Sequence, residues 1–113
     1  MADIAPELYN RVKSAFSRNM ENDKKLQSLR KKIEDGRGTW KDAYDYGVRI
    51  SDDLERAFAL IKSDDLPNGK MYYNIAERVV RPLIEEMENN VREISRKIVE
   101  DQNKRLGIGL KAV

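Results

Sequence analysis

Apolar residues recur every three or four positions along most of this chain, and the longest such run lies toward its end. Between Lys70 and Leu106, Ile75, Val79, Leu83, Met87, Val91, Ile94 and Ile98 keep that interval. The spacing places them on one stripe of an amphipathic helix. At 1.5 Å per residue the helix is roughly 50 Å long. Water is a poor neighbour for so long a stripe, so the rest of the chain or a second chain must cover it. Pro82 sits near the helix's first third. It removes one backbone hydrogen bond and pushes against the carbonyl of Arg78, which predicts a kink, or two helices meeting, between Arg78 and Pro82.

The first third of the chain carries a second ladder. Leu8, Val12, Ala15, Asn19, Asn22, Leu26, Leu29 and Ile33 alternate steps of four and three, a heptad-like pattern with two asparagines in its seam. Pro6 suits a first helical turn. The preferred reading is one helix from Pro6 to Asp35. The alternative breaks it between Asn19 and Asp23, with Asn22 or Asp23 as a cap and Phe16 and Met20 forming a shifted stripe. Gly36-Arg37-Gly38 is a stop signal. Thr39 then reads as an N-cap with Asp42 at the third position. The helix it opens carries Ala43, Gly47, Ile50, Leu54, Ala57 or Phe58, and Ile61. Gly47 costs about 1 kcal/mol relative to alanine, and a close approach by another helix would explain it.

Ser63 to Gly69 is rich in turn formers. Asn68-Gly69 suits a hairpin, but neither flank alternates like a strand, so a helix–helix connection is expected. Two glycines at 107 and 109 end helicity. The expected fold is therefore all-α: three to four helices in an elongated bundle with a long, proline-kinked C-terminal helix. Residues 1–106 form a single helical domain in this reading, and 107–113 an extended tail or the start of a linker.

Composition narrows the chemistry. The chain has 113 residues, 37% of them charged and 7% aromatic, with a net charge of +2. No global field draws it to nucleic acid or an anionic membrane. Cysteine and histidine are both absent, which removes disulfides, most zinc sites and the commonest general acid–base group at neutral pH. The N-terminus lacks a signal-peptide pattern, and the apolar runs are far too short for a membrane span. A soluble protein of a reducing compartment is the default, with no membrane partner and no cofactor.

Candidate sites are few. Asp64 opens a run that superficially suits a calcium loop, but Leu66 and Ile75 fall where oxygen ligands are required. Asp52-Asp53 and Glu85-Glu86 are paired carboxylates. Neighbours on a helix point about 100° apart, so neither pair converges on one atom, and solvated helix faces account for them. No catalytic set is assigned and an enzyme is not expected. From Arg11 to Arg37 there are nine basic and four acidic residues, and from Lys41 to Asp65 four basic and seven acidic. Antiparallel packing across the glycine turn would pair them. Trp40, Tyr44 and Tyr46, and Met71, Tyr72 and Tyr73, start two helices and are expected to meet at one end of the bundle. They read as core or as a contact patch, since Trp, Tyr and Met are enriched at interfaces. The residues named for a protein interface are Trp40, Tyr44, Met71, Tyr72, Tyr73, Val91, Ile94 and Ile98.

Gly69-Lys70-Met71-Tyr72-Tyr73-Asn74-Ile75-Ala76-Glu77-Arg78-Val79 with Pro82-Leu83, the ending Gly107-Ile108-Gly109-Leu110-Lys111-Ala112, and the opening Ile4-Ala5-Pro6-Glu7-Leu8-Tyr9 resemble the N-terminal part of phage minor structural or head-morphogenesis proteins carried by prophages of Gram-positive gut bacteria. The resemblance implies a non-catalytic structural or assembly protein of the virion head, acting through helix-mediated contacts. It implies self-association or other phage head proteins as partners, and the host bacterial cytoplasm and then the virion as location. Such proteins usually continue past the Gly-Ile-Gly-Leu-Lys-Ala segment into a region rich in Cys and His, so this chain is expected to be a stand-alone version or a fragment. The alternative is a small helical nucleic-acid-binding or regulatory protein using the basic segment 18–37, with Lys24, Lys25, Arg30, Lys31 and Lys32 on phosphates. Nucleic acid is the less favoured partner, because the run lacks interleaved aromatics.

Overall fold

The computed structural model describes residues 4–66 and 69–107, and they contain four α-helices and no strand. Helix α1 spans Ala5–Asn22, α2 Lys24–Glu34, α3 Trp40–Phe58 and α4 Lys70–Leu106. A single 3-10 turn, Ser63–Asp65, lies on the connection from α3 to α4, which is a helix–helix connection as expected. The hairpin reading of Asn68 and the tail reading of 108–113 lie outside the described residues.

The unbroken first helix is not what forms. The chain breaks at Asp23, whose backbone is extended (φ −83°, ψ 92°) and whose carboxylate accepts from the Leu26 N–H at 3.1 Å. Asp23 thus opens α2 as an N-cap. Phe16 rather than Asn19 leads the buried face of α1, with Met20 packed beside it. The three-and-four spacing runs straight across the break, which is why periodicity alone points to one helix. The next two boundaries follow their local chemistry. Gly36 takes φ +81° just after α2, a left-handed turn that glycine adopts without steric cost. Thr39 and Asp42 form a reciprocal capping box, with the Asp42 N–H donating to Thr39 Oγ1 at 3.2 Å and the Thr39 N–H to Asp42 Oδ2 at 2.9 Å.

Helix α3 packs against each of the other three helices. Its inner face supplies Tyr46, Ile50, Leu54 and Ala57 to a core shared with Leu8, Val12 and Phe16 of α1, Leu26 and Ile33 of α2, and Ile75, Val79, Leu83, Ile94 and Ile98 of α4. Helix α4 runs without interruption through Pro82, so two helices do not meet there. The described chain measures 60 × 33 × 18 Å, with a radius of gyration of 17.9 Å. A compact domain of this length would have about 13 Å, so the bundle is elongated along α4.

The long stripe of α4 does not all face inward. Met87 and Val91 are only half-buried. Four steps of four residues, from Ile75 to Val91, each advance about 40° beyond a full turn. The stripe therefore slants around the helix, and Met87 and Val91 pack at the edge of the core, while Ile94 and Ile98 beyond them are buried in it.

Candidate interaction surface

Beside the half-buried Val91, α3 and α4 form an open apolar groove of about 570 Å³. Trp40, Tyr44 and Val48 wall it on α3, and Val91 and Ser95 on α4. Ala43, Gly47 and Ser51, four residues apart, form its floor, and Asp52 closes one end. Trp40 is 55% exposed and Tyr44 72% exposed. A Cβ added to Gly47 would lie 3.9 Å from Val91 Cγ1, an ordinary contact. The close approach expected at Gly47 is therefore absent within the chain, and the glycine leaves open space instead.

The eight residues read as an interface separate into three groups. Trp40, Tyr44 and Val91 line the groove. Ile94 and Ile98 are buried within the chain's own core and offer nothing to a partner. Met71, Tyr72 and Tyr73 are exposed at the start of α4, where Tyr72 and Tyr73 stack edge to face with ring centres 5.4 Å apart. The two aromatic groups do not meet. Val91 lines the groove with Trp40 and lies twenty residues beyond Met71 along α4, roughly 30 Å. Tyr73 instead tops a separate shallow hollow of about 640 Å³, lined on α4 by Val80 and Ile84 with Glu77, Arg81 and Glu85. Of the first aromatic group, only Tyr46 belongs to the core.

The basic segment is partly committed to ion pairs. Arg30 pairs with Glu34 at 3.1 Å and Lys32 with Asp42 at 3.0 Å. Burial pushes the Asp42 carboxyl up, but hydrogen bonds from Lys32 and from Thr39 outweigh it and hold the group below its ordinary value. Lys31 is exposed. Lys24 and Lys25 flank a polar hollow of about 360 Å³ with Asn19, Asn22, Asp23, Arg49 and Arg56. The charge asymmetry between the two segments does pair residues as expected at Lys32–Asp42 and at Arg11–Asp65, 2.8 Å.

Under that hollow lies a polar junction that sequence reasoning did not find. Arg49 reaches both oxygens of Asp23, Nη2 to Oδ1 at 2.6 Å and Nε to Oδ2 at 3.1 Å. Asn19 donates to the Asp53 carbonyl at 2.9 Å. The Asp53 side chain is buried against Asp23, so solvation does not explain this member of the Asp52-Asp53 pair. The same 100° step that separates the two carboxylates leaves Asp52 at the groove and turns Asp53 inward. Burial first, then its hydrogen bond and repulsion with Asp23, push the Asp53 carboxyl up to about 7. Asp23 goes the other way. Burial raises it, but Arg49, the Leu26 N–H and the Asp53 hydroxyl prevail and bring it to about 2. The two carboxyls share one proton over the intervening range.

Among the described residues no group of three or more acidic, His or Cys side chains is arranged to hold a metal ion, and no helix is long and apolar enough to cross a membrane. The chain matches no protein-family profile, no curated protein and no solved structure.

The groove had a readable signal. Trp40, Tyr44 and Val48 step by four along α3, a second apolar row beside Ala43, Gly47, Ile50 and Leu54. Two adjacent rows on one helix mean that one core cannot absorb both.

Proposed function

We propose that this chain is a non-catalytic structural or assembly protein of a phage head, acting through helix-mediated contacts with itself or with other head proteins. The observation that carries the reading is the open groove between α3 and α4, with Trp40, Tyr44 and Val48 presented to solvent. Exposed apolar surface of this kind marks contact sites, and aromatic side chains supply most of the energy at such sites. The resemblance of the opening, the start of α4 and the Gly107–Ala112 segment to phage head-morphogenesis proteins supplies the setting, including the host cytoplasm and the virion. The test is to measure the mass of the protein by light scattering, alone and mixed with portal and capsid proteins of a prophage that encodes such a chain. A complex with any of them supports the reading. A monomer that binds none of them overturns it.

A second reading keeps the exposed Lys24, Lys25 and Lys31 for phosphates. A salt titration of DNA binding decides it. Steep weakening with salt, and loss of binding on neutralising Lys24, Lys25 and Lys31, would favour nucleic acid over head proteins.

A further inference from the structure

We propose that a second copy of this chain docks in the α3–α4 groove, with the two α3 helices antiparallel, so that Lys41 of each copy faces Asp52 of the other. The inference rests on the assembly reading above and names the partner of its surface.

The shape of the groove calls for a rod. Its floor is made of small residues at every fourth position, Ala43, Gly47 and Ser51. A Cβ at Gly47 would touch only Val91. Helix axes pack 8–10 Å apart according to the side chains between them, and a floor this low admits a helix at the near end of that range. The walls are apolar, so the incoming helix must present apolar side chains. The outer row of α3 itself, Trp40, Tyr44 and Val48, is exposed and of that kind.

Charge selects the direction. Lys41 begins the outer edge of α3, and Asp52 lies eleven residues further on at the groove's other end, roughly 16 Å away. Both are exposed, and neither forms a salt bridge among the described residues. A two-fold axis beside Gly47 reverses one α3 on the other. It brings Lys41 opposite Asp52 at both ends of the contact, with the Tyr44 and Val48 side chains of both copies between them. A parallel pairing would instead set Lys41 against Lys41 and Asp52 against Asp52, which costs affinity. The antiparallel arrangement is also isologous: one patch serves both copies and the assembly closes at two. The helix dipoles oppose each other in the same arrangement.

The test uses the full chain in sedimentation equilibrium and light scattering. The expected mass is twice the chain's 13.1 kDa at high micromolar concentration. Val48→Glu is expected to give a monomer with unchanged helical circular dichroism. Lys41→Glu and Asp52→Lys are each expected to weaken pairing about tenfold or more, and the double variant Lys41→Glu/Asp52→Lys to restore it. Tyr73→Glu, in the separate hollow on α4, is expected to leave pairing intact. A wild-type monomer overturns the inference. So does a dimer that ignores both single reversals, one that the double variant fails to restore, or one that Tyr73→Glu abolishes. Copies that do not pair while a head protein still binds defeat this inference and leave the assembly reading standing. Copies that pair while no head protein binds leave both standing, with the chain itself as the partner.

Discussion

The two faces of α3 show what the same helix can be asked to do. Toward α1 and α2 it presents Tyr46, Ile50 and Ala57, all closed off from water, together with Arg49 and Asp53 tied into the Asp23 junction. Away from them it presents Trp40, Tyr44 and Val48 over a floor with a glycine in it. The inner face is specified by packing and by a polar network that allows one arrangement. The outer face is apolar, open and unspent. A helix with two apolar rows and one core to fill has surface left for association, and the contrast can be tested residue by residue.

The largest effect is expected on the inner face. Ile50 is fully buried, and Ile50→Ala should cost about 2–5 kcal/mol through lost burial and the cavity left behind. Domains of this kind have only about 5–15 kcal/mol in total. Val48 lies two residues away and is 43% exposed. Val48→Ala should change stability by no more than about 0.5 kcal/mol. Urea unfolding of the two variants at low protein concentration measures the ratio. Equal losses would mean that the outer face is as closed as the inner one, and the contrast would be gone.

A smaller effect, with a signature in pH, belongs to the Asp23–Asp53 pair. The folded Asp53 carboxyl lies near 7, above its ordinary 3.8, so between these values the folded protein holds a proton that the unfolded chain has lost. Stability from this group is full below about pH 4 and falls as pH rises through 7. Asp23, lowered to about 2, contributes in the opposite sense: its share is full above pH 4 and is lost as pH falls toward 2. Asp53→Asn keeps a neutral donor facing Asp23. The urea midpoint of the wild type should decline from pH 4 to pH 7, while the variant should hold level over that range and still weaken in acid. A variant that declines like the wild type would place the titrating group elsewhere.

How much of this was legible depends on how local each cause is. The all-α class, the Thr39–Asp42 box and the stop at Gly36 are written within four residues of where they act, and they form as the sequence suggests. The break at Asp23 is equally local, but an uninterrupted heptad spacing on both sides argued against it. The Leu26 N–H makes Asp23 a cap, and the bond from Arg49, twenty-six residues away, adds a tertiary hold on it. The α4 stripe forms as the spacing suggests: Ile75, Val79, Leu83, Ile94 and Ile98 are buried, and Met87 and Val91 pack at the edge of the core. Val91, at that edge, lines the groove opposite Gly47. Asp53 was the least legible. Beside Asp52 it looks like half of a solvated pair, and nothing short of the packing of α1 and α2 on α3 shows that one of the two is inside. The aromatic groups at the starts of α3 and α4 were placed together because both begin helices. The two helices run antiparallel, so their beginnings lie at opposite ends.

Gly47 gives the smallest effect and the most pointed one. A glycine inside a helix costs about 1 kcal/mol relative to alanine, and here no neighbour forbids the methyl group, since Val91 Cγ1 would lie 3.9 Å from it. Gly47→Ala should therefore stabilise the monomer by up to about 1 kcal/mol, read as a higher urea midpoint at a concentration too low for pairing. The same methyl raises the floor of the groove at the point where a second α3 would cross. Association should weaken in the variant that folds better. Dimerisation by itself raises apparent stability through mass action, so the two signs separate only when unfolding is followed at several protein concentrations. The wild type should gain stability with concentration and the variant should gain less. A variant that is more stable at low concentration and pairs as tightly as the wild type would mean that the glycine's space is not used by a partner.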